Sequence, residues 1–110
     1  MKNVLIFGLG KQGKKHMNFF QSQGWNITCV WKNKHKEPIL SYDAILLRDR
    51  TYFLSFDCII VAVSPIIEQE KIIRFLTDLS LSVNILIEKP VTYDKNLLED
   101  FLRTTEGWVT

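Results

Sequence analysis

Three glycines near the N-terminus have a spacing that could bind phosphate groups. Gly8, Gly10 and Gly13 fit the pattern G-x-G-x-x-G within "VLIFGLGKQGKKH", residues 4–16. In that pattern the first glycine permits a tight turn, the second lets a phosphate approach the backbone, and the third lets a helix pack closely on a strand. The spacing therefore predicts a nucleotide-binding loop, with a merely tight structural turn as the alternative.

The elements around this loop are the ones such a site needs. "KNVLIF" (2–7) is an apolar run typical of a buried strand, and residues 11–23 predict a helix that stops at Gly24. The start of that helix would present free N–H groups and a partial positive charge to a pyrophosphate. Similar loops also bind S-adenosylmethionine or channel-regulating ligands, so the loop alone does not identify the ligand.

The rest of the chain continues the alternation of strands and helices. Further strands are predicted over 26–31, 39–42, 57–63 and 82–88, and helices over 43–50, 65–79 and from about 95. Strands that are apolar on both faces indicate a parallel sheet covered on two sides. We therefore predict an α/β fold with a doubly wound, Rossmann-like parallel sheet, formed as one domain by residues 1–110.

Local signals predict where the later helices begin and which faces they bury. Ser64 is expected to cap the helix that follows residue 63, with Pro65 at its first helical position. Asp94 is expected to cap the last helix. The apolar stripe of that helix is predicted to comprise Leu97, Leu98, Phe101 and Leu102.

A basic segment follows the second predicted strand, where a site for NAD usually has an acidic residue. Position 32, about twenty residues past the glycine loop, is Lys32, and no carboxylate occurs over 24–36. A cation there suits the 2′-phosphate of NADP, so NADP is slightly favoured over NAD. Two alternatives stay open, namely a solvated loop that contacts nothing and a dinucleotide site that has decayed.

Three motifs in this order resemble the N-terminal half of the Gfo/Idh/MocA family of oxidoreductases. They are "GLGKQGKKH" (8–16), "IIVAVSP" (59–65) and "ILIEKP" (85–90), of which the Glu-Lys-Pro signature is the most specific. The resemblance implies a domain that holds NAD or NADP for hydride transfer with a sugar, polyol or related substrate.

The resemblance also assigns roles to residues. Lys89 would be catalytic, since a lysine at the carboxyl end of a parallel strand can hydrogen-bond a ribose and a substrate hydroxyl. Pro90 would follow a cis peptide bond that fixes this lysine. Together, the glycine loop, the basic segment and the family motifs assign cofactor contacts to Gly8, Leu9, Gly10, Lys11, Gln12, Gly13, Lys32, Asn33, Ala62, Ser64, Pro65, Glu88, Lys89 and Pro90.

The sequence departs from the family pattern in two side chains and in length. Gln69 stands where the family often has histidine, a replacement that we expect to be neutral, and Lys32 replaces an acid. His16 matches a family position, and a packing or helix-orienting role is expected for it. We expect this chain to lack the substrate domain of the family, because the sequence stops at "EGWVT" (106–110), where a sixth strand would begin.

The missing domain leaves two hypotheses open. The chain is either the cofactor half of a longer oxidoreductase or a stand-alone, non-catalytic nucleotide-binding or interaction domain that works with a partner chain. A sheet edge left open by the absent sixth strand would favour a homodimer or a partner chain.

Composition and charge exclude several other classes. Cys29 and Cys58 lie in apolar runs, which is typical of small buried side chains and not of a disulfide framework. No signal peptide, membrane segment or metal-ligand spacing is present, so a cytoplasmic protein is expected. Net charge is only +2 and basic residues do not interleave with aromatic ones, which argues against nucleic-acid binding.

Overall fold

The computed structural model describes residues 2–31, 39–88 and 91–109, and within them the chain folds as one parallel sheet with helices on both sides. The six described strands have the order β3-β2-β1-β4-β5-β6. The strands are β1 (Asn3–Phe7), β2 (Asn26–Trp31), β3 (Ile39–Ser41), β4 (Cys58–Val61), β5 (Asn84–Ile87) and β6 (Glu106–Val109). The helices are α1 (Lys11–Ser22), α2 (Tyr42–Leu46), α3 (Arg50–Leu54), α4 (Ile66–Asp78) and α5 (Lys95–Thr104).

The strand order reverses beside β1, and this reversal determines where a ligand could lie. Phe7 at the carboxyl end of β1 is in register with Val30 of β2 and with Val61 of β4. From β1 the chain runs outward to β2 and β3, then returns to β4 on the other side. In such sheets the crevice outside the carboxyl ends at this switch point is the usual ligand site. The predicted doubly wound α/β fold is confirmed.

Alternating residues of the central strands supply two hydrophobic cores. Leu5 and Phe7 belong to the larger core, which α4 and α5 cover, whereas Val4 and Ile6 belong to a smaller core that includes Phe20 of α1. These four side chains of β1 are fully buried. A strand buried on both faces reads as a continuous apolar run, which is why "VLIF" carries no polar alternation.

The predicted single helix over 43–50 is wrong, because the segment forms two short helices with separate caps. The Ser41 hydroxyl accepts a hydrogen bond from the N–H of Ala44 at 3.2 Å, and the Asp49 carboxylate accepts one from the N–H of Tyr52 at 3.1 Å. Each cap satisfies a backbone donor that the following helix leaves without a partner. Two capping residues eight positions apart therefore start α2 and α3 independently.

The predicted cap of α4 is also wrong by one residue. Pro65 itself occupies the N-cap, with φ −72° and ψ 175°, and α4 makes no side-chain cap hydrogen bond. The Pro65 carbonyl accepts from the N–H of Glu68 at 3.0 Å, so the first turn is organised on Pro65. Ser64 lies one position too early to cap it, and the Ser64–Pro65 peptide bond is cis.

The end of the chain corrects two further expectations. Residues 106–109 do form a sixth strand, and Trp108 is in parallel register with Leu86 of β5. The edge of β5 is therefore covered, and the premise that an absent sixth strand leaves it open is wrong. In α5, Leu97 and Phe101 are buried as predicted, but Leu102 is half exposed, because it lies one position beyond the i, i+4 pair and turns away from the sheet.

Candidate functional site

Two of the three glycines in the loop are required by close backbone packing. A Cβ on Gly8 would lie 2.1 Å from the carbonyl oxygen of Ala62, and Gly8 has a φ of +112°, which other residues rarely adopt. A Cβ on Gly13 would lie 2.1 Å from the carbonyl oxygen of Gly8. The absence of a side chain at Gly8 and Gly13 lets β4 and the start of α1 approach the turn after β1. Both glycines are therefore required by the packing of the fold.

Gly10 is different, because nothing in the described chain requires a glycine there. A Cβ at this position would meet no heavy atom within 4 Å, and the backbone has an ordinary φ of −73°. Gly10 is exposed at the edge of a cleft. An open space where a side chain would fit is what a loop that admits a phosphate to its backbone must provide.

The cleft lies at the carboxyl ends of β1, β4 and β5 and has a volume of about 200 Å³. Six of the residues predicted to contact a cofactor line it, together with Val63, which the sequence did not single out. The lining residues are Gly10, Lys11, Gln12, Ala62, Val63, Ser64 and Glu88. Val63 was missed because it reads only as the end of an apolar run, and its side chain is largely buried.

The other predicted contacts lie around or beyond this cleft. Gly8 and Gly13 are buried in the packing described above and do not line the cleft, and half-buried Leu9 sits between Gly8 and Gly10. Pro65 is exposed beside Ser64 at the start of α4. The remaining predicted residues, Lys32, Asn33, Lys89 and Pro90, fall outside the described residues.

The start of α1 faces the cleft without any capping side chain. Gly10 is the N-cap and offers no side-chain oxygen, and the first turn contains no acidic residue. The N–H of Lys14 donates to the Gly10 carbonyl at 2.9 Å, whereas the N–H groups of the first turn before it have no intrahelical acceptor in an α-helix. With Lys11 lining the cleft, this turn favours an anion.

A side-chain hydrogen bond joins the glycine-loop helix to the end of β5. The Nε2 atom of His16 lies 2.7 Å from Oε1 of Glu88, and both side chains are about one-fifth exposed. The N–H of Glu88 also donates to the Val61 carbonyl at 2.9 Å, which continues the β4–β5 pairing past the last strand residue. His16 thus contacts a cleft residue seventy-two positions away, a link that fits the helix-orienting role expected for it.

Gln69 on α4 is fully buried and bonds to Glu88, the first residue of the Glu-Lys-Pro motif, and to Thr92, two positions past the motif. Its Nε2 donates to the Glu88 carbonyl at 3.3 Å, and its Oε1 accepts from the N–H of Thr92 at 2.8 Å. The one signal of these contacts in the sequence is a polar residue on an otherwise apolar helix face. The expectation that glutamine replaces histidine neutrally at this position stays a prediction, and these two hydrogen bonds show what a replacement has to preserve.

The cysteines do not offer a reactive thiolate. Burial raises the pKa of the Cys29 thiol above its ordinary value, and burial together with the nearby Asp57 carboxylate raises the pKa of Cys58 to about 11. Both are free thiols, buried or half-buried, which agrees with the packing role expected for them.

Among residues 2–31, 39–88 and 91–109, no group of three histidine, cysteine or acidic side chains could hold a metal ion. No described helix has the length and apolarity needed to span a bilayer.

Comparison with known families gives one match along almost the whole chain. Residues 2–106 match GFO_IDH_MocA, described as an oxidoreductase family with an NAD-binding Rossmann fold. A comparison with curated proteins finds no significant match.

Solved structures with the same fold are longer and distant in sequence. A D-isomer specific 2-hydroxyacid dehydrogenase family protein from Klebsiella pneumoniae 342 aligns over 98% of this chain and 37% of its own, with 12% identity and a TM-score of 0.65. An NADPH-dependent glyoxylate/hydroxypyruvate reductase from Sinorhizobium meliloti aligns over 89% and 41%, with 16% identity and a TM-score of 0.59. A Rex-family repressor aligns over 99% and 53%, with 15% identity and a TM-score of 0.62. The chain therefore spans about a third to a half of the length of these proteins.

Proposed function

Because the chain belongs to the oxidoreductase family with an NAD-binding Rossmann fold, we propose that it is the dinucleotide-binding half of an oxidoreductase. The reaction is hydride transfer between NADP(H) or NAD(H) and a sugar, polyol or related substrate. The enzyme uses NADP(H) in preference to NAD(H). The observation that carries the proposal is the open space at Gly10.

The open space at Gly10 supports binding because the packing of the fold does not require a glycine there, whereas a bound ligand would. Gly8 and Gly13 would be glycines in any chain with this packing, since a Cβ at either would overlap a carbonyl oxygen. Gly10 has neither a close neighbour nor a positive φ, so neither packing nor backbone conformation requires a glycine there, although glycine is a favourable N-cap. A pyrophosphate that rests on the backbone at the start of α1 explains the lack of a side chain.

The lining residues divide the work of holding such a cofactor. The first-turn N–H groups of α1 and the Lys11 ammonium receive the pyrophosphate, and Ala62 and Ser64 lie on the side of the nicotinamide ribose. Lys89 hydrogen-bonds the ribose and the substrate hydroxyl and so aids proton movement at that oxygen. The bound nicotinamide supplies the hydride chemistry. Glu88 is held at the cleft by His16, which keeps the end of β5 beside the loop.

The preference for NADP(H) rests on the basic segment after β2. Lys32 replaces the usual acid, and the segment "KNKHK" over 32–36 contains no carboxylate. One charge-assisted contact to a 2′-phosphate is worth roughly 1.5–3 kcal/mol, and exposure reduces this to about 1 kcal/mol for a lysine in water. One of the similar structures is named as an NADPH-dependent reductase, and that name supports the proposed preference.

A second function has one specific observation in its favour. One of the similar structures is a repressor, so the same fold also occurs in a protein whose name describes regulation. Under this alternative, the chain binds a nucleotide without catalysis and acts through a partner chain. Restoration of hydride transfer by a second domain or partner chain distinguishes the enzyme from the binding module.

Calorimetric titration with NADPH and with NADH, at low and at moderate salt, tests the proposal. We expect binding of both, tighter and more salt-sensitive for NADPH because an added phosphate contact is screened by salt. Lys32→Asp should weaken NADPH binding by about tenfold while changing NADH binding little.

The matched control is Lys2→Asp, an identical charge change before the amino end of β1, at the opposite end of the sheet from the cleft. Its effect on NADPH and NADH should be equal and small. If Lys32→Asp weakens both cofactors equally, the basic segment does not select between them. If the wild-type chain binds neither cofactor, the proposed function is wrong.

A further inference from the structure

We propose that Gln69 is a positioning residue that holds the Glu88–Thr92 segment in place for the nicotinamide half of the cofactor. This inference rests on the proposed function and adds a specific residue to it. Gln69 does not line the cleft, so any effect it has on binding must pass through the residues it holds.

The amide of Gln69 bonds to the first residue of the Glu-Lys-Pro motif and to a residue just past the motif. One side is the Glu88 carbonyl, which accepts from Nε2 at 3.3 Å, and the other is the Thr92 N–H, which donates to Oε1 at 2.8 Å. The side chain is fully buried and Thr92 is nearly so. These two hydrogen bonds of one buried amide therefore attach α4 to Glu88, which immediately precedes the proposed catalytic lysine in the chain, and to Thr92, two positions past the motif.

Glu70, the next residue of α4, also bonds to Thr92. The Thr92 hydroxyl donates to the Glu70 carboxylate and accepts from the N–H of Asp94 at 3.1 Å. The Asp94 carboxylate also accepts from Arg74 of α4 at 3.1 Å. The segment after the motif is thus attached to α4 at several points, but Gln69 alone among these α4 side chains also reaches Glu88 within the described residues.

The chemistry of the amide explains why this position accepts few side chains. The site needs one donor toward the Glu88 carbonyl and one acceptor toward the Thr92 N–H, which a primary amide supplies at fixed separation. A neutral imidazole also has one donor and one acceptor, whereas leucine has neither and a carboxylate has no donor. Unlike imidazole, the amide does not titrate, so it keeps both bonds at every ordinary pH.

The first test compares two ligands that differ only in the nicotinamide. Wild-type chain and Gln69→Leu are titrated with NADP⁺ and with 2′-phosphoadenosine 5′-diphosphoribose, which lacks the nicotinamide. We expect Gln69→Leu to lose about tenfold in affinity for NADP⁺ and less than about twofold for the shorter ligand. Gln21→Leu, the same change at an exposed site on α1, is the matched control and should leave both affinities unchanged.

The second test uses protonation to break one hydrogen bond without changing the fold. Gln69→His should match the wild-type affinity for NADP⁺ at pH 8, and lose about tenfold near pH 5, below the ordinary histidine pKa of about 6.5. Imidazolium has two donors, so it cannot accept from the Thr92 N–H. The titratable groups Glu88, Glu70 and His16, which bonds to Glu88, are nearby in both proteins, and the wild-type pH profile therefore serves as the control.

A third measurement needs no cofactor. Hydrogen exchange of the Thr92 amide should be slow in the wild type and in Gln69→His at pH 8, and at least about tenfold faster in Gln69→Leu. If Gln69→Leu does not fold, the pH-dependent loss in Gln69→His carries the same test.

The outcomes separate the two proposals. The role of Gln69 alone would be overturned if the wild type binds both ligands and Gln69→Leu has the same ratio of affinity for NADP⁺ to affinity for the shorter ligand as the wild type. Absence of binding by the wild type to either ligand would overturn both the proposed function and this inference. An unchanged Thr92 exchange rate in Gln69→Leu would show that the amide does not hold the segment.

Discussion

Gly10→Ala should separate cofactor binding from folding more cleanly than any other change in the glycine loop. The added methyl group would meet no atom within 4 Å, so it creates no overlap in the free protein. Alanine is a poorer N-cap than glycine, which lowers the unfolding free energy by about 0.5–1 kcal/mol. Alanine also makes the unfolded chain less flexible, which raises the unfolding free energy by about 0.4–1 kcal/mol. The net change in unfolding free energy should be within about 0.5 kcal/mol, or a Tm shift of about 2–4 °C.

The same methyl group occupies the space that the pyrophosphate needs. If it prevents two charge-assisted hydrogen bonds from backbone N–H groups, binding loses about 3–6 kcal/mol, which is about a hundredfold or more in Kd. Gly10→Asp should act in the same direction and more strongly, because it adds a negative charge beside a phosphate. Both variants should keep the fold of the wild type.

The assay combines thermal unfolding with titration of NADPH on the same preparations. Gly13→Ala is the contrasting variant, because its Cβ would lie 2.1 Å from the Gly8 carbonyl oxygen. That overlap requires a backbone shift and should cost more than about 2 kcal/mol of stability. Wild-type affinity in Gly10→Ala would refute the reasoning that the open space at Gly10 receives the cofactor.

Two further predictions concern stability. The pKa of Cys58 is raised to about 11 from its ordinary value of 9.0, so its burial as a neutral thiol stabilises the protein fully below pH 9 and progressively less as pH rises to 11. In urea unfolding, the unfolding free energy of Cys58→Ala should fall less between pH 9 and pH 11 than that of the wild type. Equal falls in the two proteins would contradict the assignment. Asp49→Ala should cost about 1 kcal/mol in the same assay, because the cap of α3 is lost, and Asp49→Ser should recover most of it. Equal stability of Asp49→Ala and the wild type would mean that the cap contributes nothing.

Local patterns along the chain were enough to predict most of the fold. Apolar runs such as "VLIF" and "CIIV" predicted buried strands, because strands covered on both faces need apolar side chains at every position. The alternation with helices then predicted a parallel sheet. Element boundaries were less accurate: Ser41 and Asp49 started two helices where one was expected, and Pro65 took the cap expected of Ser64.

The candidate site was predictable in part for the same reason. The glycine spacing predicted a turn that joins β1 to α1, and each residue of that turn lies within a few positions of the others. What the spacing could not reveal is that Gly8 and Gly13 are required by the packing of the fold whereas Gly10 is open to the cleft. That distinction depends on the Ala62 carbonyl, which β4 brings against Gly8 from far along the chain.

The sequence by itself determined the fold class, the glycine loop and the carboxyl-end position of the motifs, because each follows from residues close together in the chain. Only the tertiary structure decided that His16 bonds to Glu88, that Gln69 bonds to Glu88 and Thr92, and that β6 covers the edge of β5. These contacts join residues from nineteen to seventy-two positions apart. Their partners are chosen by how helices and strands pack, and a one-dimensional pattern contains no record of which side chains that packing brings within hydrogen-bonding distance.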